Sequence, residues 1–149
     1  MSVQDLLLSP GRVGETTVST LGQAWAALRA HLSDEAELLR IVDTWPVLCV
    51  WDAETGGSLA MLAGSEDAWA RLRADPAVWG RVVDAQALTG PLHSYLTFRL
   101  TRGVWHCAAA LPLPYPDDVV APEPWPGHDL ACEASVVGRP LRLRCRPTM

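Results

Sequence analysis

The sequence predicts an α+β domain: an antiparallel sheet of about six strands, built from three hairpins, with N-terminal and central helices packed on one face. Three observations carry this. Leu21, Ala24, Trp25, Leu28 and Leu32 recur at the helical spacing of one buried stripe. Apolar or alternating runs flank turn residues at three later places in the chain. Between the second and third of these, two Pro-x-Pro-x-Pro runs remove the N–H donors that a regular ladder needs.

Residues 1–18 read as an N-terminal arm, because they show neither a cap nor a sustained period. Thr20 then caps the helix that carries the apolar stripe. Ser33, followed by the acids Asp34 and Glu35, reads as a second cap whose helix runs to about Asp43, where Trp45 and Pro46 stop it. Val47 to Trp51 and Ser58 to Ala63 flank the turn residues Asp52 to Gly57 and form the first hairpin. Ser65 before Glu66 and Asp67 opens a short helix through Trp69 and Leu72. Asp75 and Pro76 supply an N-cap and a first-position proline for another, which Thr89, Gly90 and Pro91 close.

From Leu92 the pattern alternates, so Leu92 to Thr101 and Val104 to Leu111 read as a hairpin around Arg102-Gly103. One face holds Leu96, Phe98, Leu100, Val104 and His106, and is the core side. The other holds Tyr95, Arg99 and Trp105, with Arg99 opposite Trp105 in the position for a cation–π contact. Residues 112–128 form a proline-rich surface loop carrying Tyr115 and Trp125. Leu130 to Val136 and Leu141 to Arg146 form the last hairpin, around a four-residue loop from Val137 to Pro140. That register sets Cys132 against Cys145, Glu133 against Arg144 and Ser135 against Arg142, with apolar residues inward and charges outward.

The chain has 149 residues, 49% hydrophobic and 19% charged, which fits one globular domain spanning residues 1–149. It contains no Lys and no Asn, and all twelve cationic side chains are Arg. That bias follows the codons of a GC-rich bacterial genome. The net charge of −5 makes nucleic acid an unfavourable partner, though residues 134–149 carry four Arg and no acid. Asp5 stands where a secretory leader needs basic residues, and no apolar run approaches a membrane span. A cytoplasmic protein with no membrane role is expected.

Chemistry-bearing residues are present, but in no recognisable spacing. His93, His106, Cys107, His128 and Cys132 lack a Cys-x-x-Cys pair, and His106 and Cys107 point to opposite sides of one strand, so no metal site is expected. Asp117, Asp118, Glu123 and Asp129 show no calcium-loop pattern. The glycines match no phosphate or dinucleotide loop, and no cofactor is expected. Neither His93-Ser94 nor His106-Cys107 has a third orienting group in sequence, so no catalytic residue is assigned. Cys132 and Cys145 are either a bridge or, as the cytoplasmic default has it, two packed thiols.

Val50 to Gly56, leading to Leu59, resembles the strand-turn-strand that opens sensory domains of the PAS and GAF type. The element order is also compatible with the roadblock family of small dimeric scaffolds. The resemblance assigns no functional residue. The residues themselves point to a non-catalytic module that binds another protein or itself, through Tyr95, Arg99 and Trp105, through Tyr115 and Trp125 on the loop, or through Arg142 and Arg144 on the last strand. The alternative is a small enzyme or ligand sensor with a pocket between sheet and helices.

Overall fold

The computed structural model describes residues 2–63, 66–103, 105–134, 136 and 138–146. Near the start of the chain Leu6 and Leu8 are buried while Asp5 and Leu7 are exposed, and this period of two makes strand β1 (Val3–Ser9). Hairpin pieces β2 (Arg12–Val13) and β3 (Thr16–Thr17) follow, so the expected arm is sheet. Helix α1 (Leu21–His31) begins as predicted: the Thr20 hydroxyl accepts the Gln23 N–H, and Leu21, Ala24, Trp25 and Leu28 are buried.

The second predicted helix does not form. The Ser33 hydroxyl accepts from Glu35 N–H in a tight turn, and the chain then extends as β4 (Leu38–Asp43). Its near-continuous apolar run belongs to a strand with parallel neighbours on both sides. Strands β5 (Val47–Asp52) and β6 (Ser58–Ala63) form the expected antiparallel hairpin. Helix α2 (Ala68–Arg73) follows Asp67, and the predicted cap Ser65 lies outside the described residues. Asp75 caps α3 (Pro76–Val83), accepting the Val78 N–H. This helix ends earlier than predicted: Ala85 turns at φ +58, and Ala87–Gly90 is strand β7, paired with β5.

The largest departure is Leu92 to Leu100, which is helix α4 (Leu92–Leu100) and not a strand. Eight of its nine residues are buried, so it shows no amphipathic stripe and its period cannot be read. Its polar side chains find partners inside; Thr97 Oγ1 donates to the His93 carbonyl at 2.9 Å. With that strand gone, the second hairpin and its shared Tyr95, Arg99, Trp105 face do not exist. Short strands β8 (Cys107–Ala108) and β9 (Glu123–Pro124) pair in parallel, tying down the proline-rich segment. Finally β10 (Leu130–Ala134) and β11 (Arg139–Arg146) form the last hairpin, with Cys132 opposite Leu141.

That register is offset by four residues from the predicted one, an even number, so the inward and outward faces are preserved. The loop falls between Ala134 and Arg139, where Gly138 at φ +66 donates to the Ala134 carbonyl. Pro140 stands in β11, ahead of its pairing with β4, which starts at Arg142. All four cysteines are free thiols.

The architecture is α+β, with four helices and eleven strands among the described residues. The main sheet is mixed, not purely antiparallel: its order is β10-β11-β4-β1-β2-β3, with β11, β4 and β1 parallel. A second antiparallel sheet, β6-β5-β7, is buried on both faces of β5. Leu39, Ile41, Leu141 and Leu143 from the main sheet share one core with α1, α4, Cys49 and Trp51. Leu48 and Val50, on the other face of β5, pack with Ala68, Leu72 and Val82 beneath α2 and α3. No helix among the described residues is long and apolar enough to cross a membrane.

Asp43, at the end of β4, joins the main sheet to α4. It lies 2.6 Å from His93 Nδ1 and accepts the Trp45 N–H at 3.0 Å. Replacing Asp43 by Ala strands these buried donors and is expected to cost about 3 kcal/mol, read as a lower urea midpoint at unchanged slope.

Candidate functional site

The seven residues singled out in sequence fall in four places. Tyr95 is fully buried; its hydroxyl donates to the Gly56 carbonyl at 3.1 Å and accepts from Arg99 at 2.9 Å. Arg99 stacks over Trp25, 4.9 Å from the ring centre, and not on Trp105. Tyr115 is half-buried beside α2, with its ring 4.8 Å from Trp69 and its hydroxyl 3.0 Å from Thr89 Oγ1. Trp105 and Trp125 come together, with ring centres 6.4 Å apart. Arg142 and Arg144 lie on the outer face of the main sheet.

An open groove of about 590 Å3 lies beside β10. Its floor and one wall are Leu130, Ala131, Cys132 and Glu133; the other wall is Thr101, Arg102 and Trp105. β10 is the end strand of the main sheet, so one side of its backbone lacks a sheet neighbour among the described residues. The far wall is built by a tight reversal after α4. Arg102 and Gly103 turn at φ +59 and +79, and the Gly103 N–H donates to the Phe98 carbonyl at 2.8 Å. Thr101 Oγ1 then holds the Trp105 backbone, donating to its carbonyl at 2.8 Å. Val104 lies outside the described residues.

On the outer face, the register sets Asp5, Arg40 and Arg144 in one row and Leu7, Val42 and Arg146 in the next. Arg40 grips Asp5 through two bonds of 2.6 and 2.9 Å, and Arg144 grips Asp129 through two of 2.7 and 3.0 Å. Arg144 therefore pairs with Asp129 instead of Glu133, which faces Pro140. The predicted partner of Arg142, Ser135, lies outside the described residues, and Arg142 is opposite Ala131. Asp129 thus offsets one charge of the arginine stripe, and Asp5 offsets Arg40 beside it, which lessens the pull of this face on a polyanion.

Two histidine pairs surround the start of α4, and neither was legible: Asp43 and His93 come from distant segments, and the Ser94–His106 pair forms only with Leu92–Leu100 as a helix. His93 Nε2 accepts the Ala109 N–H at 3.0 Å, so Nδ1 carries the ring proton toward Asp43. His106 Nδ1 lies 2.9 Å from Ser94 Oγ, and burial pushes the His106 pKa below the ordinary histidine value. This second pair has the composition of a nucleophile and its base, but Ser94 is fully buried inside α4 and offers no surface to a substrate. No three His, Cys, Asp or Glu among the described residues are grouped to hold a metal ion.

No protein-family model matches the chain, and no curated protein is similar to it.

The groove and the outer face each yield a measurable consequence. Burial pushes the Cys132 thiol up to about 11, from 9.0. At pH 8 its alkylation is expected to run roughly 100-fold slower than that of an open thiol, scored by mass spectrometry of the digested protein. The Arg144 bonds hold the Asp129 carboxyl below its ordinary 3.8. Their contribution to stability is therefore complete above that ordinary value and is lost as pH falls through the lower folded one. An NMR titration should find the Asp129 midpoint depressed, and Arg144→Gln should return it upward.

Proposed function

We propose that the chain is a non-catalytic protein-binding module that accepts an extended segment of a partner protein along the open edge of β10. One observation carries the reading: the end strand of the main sheet borders a groove whose opposite wall presents Trp105. An added strand would lie about 4.8 Å from β10 and alternate its side chains between the groove floor and solvent. A strand as short as β10 (Leu130–Ala134) offers only about three outward backbone bonds, each worth about 1 kcal/mol net. Binding therefore needs an anchor, and a half-buried tryptophan that packs on a second one supplies about 2 kcal/mol. Together these contributions come to about 5 kcal/mol, which corresponds to a dissociation constant of about 0.2 mM.

The other reading, an enzyme or ligand sensor, draws on the Ser94–His106 hydrogen bond. It requires Ser94 to become accessible, and the packing of α4 opposes that.

The test uses a short fluorescent peptide of alternating valine and threonine, followed by anisotropy. Binding is expected, with Trp105→Ala weakening it about 30-fold while the thermal midpoint stays within a few degrees. N-methylation of alternate peptide amides should abolish it. Binding that ignores both changes refutes strand addition. A concentration-dependent dimer lost in Trp105→Ala would instead assign the edge to a second copy of this chain.

A further inference from the structure

A second cleft, of about 360 Å3, adjoins the groove, and Arg102 lines both. It brings together Arg29 from the last turn of α1, Arg99 from α4 and Arg102 from the following turn. Trp25, Glu54 and Val136 complete the walls that matter here. Three arginines and one glutamate line it, so the lining residues carry a net charge of +2. Concentrated positive charge in a concave site favours an anion.

The arrangement is built, not incidental. The Arg99 guanidinium is fixed between the Trp25 ring and the Tyr95 hydroxyl, and that hydroxyl is in turn anchored on the Gly56 carbonyl. Gly56 sits at φ +71, and a Cβ there would lie 2.9 Å from Arg99 Cδ, so only glycine lets the arginine occupy this place. Arg102 holds a left-handed backbone at φ +59, uncommon outside glycine, which turns its side chain between the two clefts. Glu133, on the edge strand, presents a carboxylate to Arg102 at 3.8 Å.

The direction of the chain then selects the ligand. Val136 follows β10 and lines the arginine cleft, so the strand points from the groove into that cleft. An extended segment lying parallel to β10 arrives there with its C-terminal end. We infer, resting on the binding reading above, that the arginine cleft holds a carboxylate at the end of the segment bound on β10. The carboxylate comes either from a terminal carboxyl or from an acidic side chain in the last position.

Three versions of the valine–threonine peptide separate the sources: one ending in a free carboxyl, one in an amide, and one in an amide after glutamate. The free acid is expected to bind at least about tenfold more tightly than the plain amide. If the glutamate version matches it, the side chain serves equally; if it matches the plain amide, the terminal carboxyl is the ligand. Arg29→Gln and Arg102→Gln should each erase the acid preference. Arg29 lies outside the groove, so Arg29→Gln should leave the amide's affinity unchanged, and Glu133→Gln should tighten the acid by removing a competitor. Equal binding of all three peptides overturns the inference and leaves strand addition standing. Failure of every peptide to bind overturns both. An acid preference that survives both arginine substitutions also overturns it, since the charge would then be read elsewhere.

Discussion

Helix α4 is enclosed on nearly every side, so its polar side chains have to be satisfied from within the protein, and the other elements are arranged to do so. His93 reaches Asp43 on the main sheet and the Ala109 backbone; Ser94 reaches His106; Tyr95 reaches Gly56 in the turn between β5 and β6. One helix therefore fixes how the two sheets meet. Trp51 shows that packing can outweigh a missing bond. Its buried indole N–H has no partner among the described residues, a penalty of about 1–3 kcal/mol. Its ring, however, contacts Tyr95, Phe98 and His106 at 5.3–5.8 Å, each worth about 1 kcal/mol beyond the area it buries.

What the sequence reveals of this fold depends on whether an element has a wet side. α1 does, and its stripe and Thr20 cap were legible. The β5–β6 hairpin is announced by turn residues, and the α3 cap by Asp75-Pro76. β4 and α4 give no such signal. α4 is buried nearly all round, its polar His93, Ser94 and Thr97 included, so period fails there, and six-residue β4 is too short to outweigh the misleading local cue Ser33-Asp34-Glu35. The last hairpin shows a subtler limit. Alternation fixed which residues of β10 and β11 face inward, but every even offset satisfies alternation equally well, so the pattern leaves the offset of four open.

The same logic governs the candidate site. Trp105 was singled out as the partner of Arg99 across a hairpin that does not form; it lines the groove because the turn after α4 carries it there. The arginine cleft was not legible, because Arg29, Arg99 and Arg102 become neighbours only when α1 and α4 pack together and Gly56 admits Arg99. The alternating pattern set Tyr95 and Arg99 on one face of a strand, with Arg99 against Trp105. On a helix their separation by four residues brings hydroxyl and guanidinium together, and Tyr95 becomes the support that holds Arg99 in place.

The absence of lysine bears on the edge of the main sheet. Open edges are commonly defended by lysine, whose hydrated ammonium discourages a second strand without favouring any particular one. Here the edge carries one charge, Glu133, and the cation beside it is Arg102. A guanidinium differs from an ammonium in presenting a rigid fork of donors matched to a carboxylate. Indiscriminate neutral strands gain little from it, whereas a strand that brings its own carboxylate gains a charge-assisted bond. Under the strand addition proposed above, the arginine that guards the edge is also the group that would select which strand is admitted.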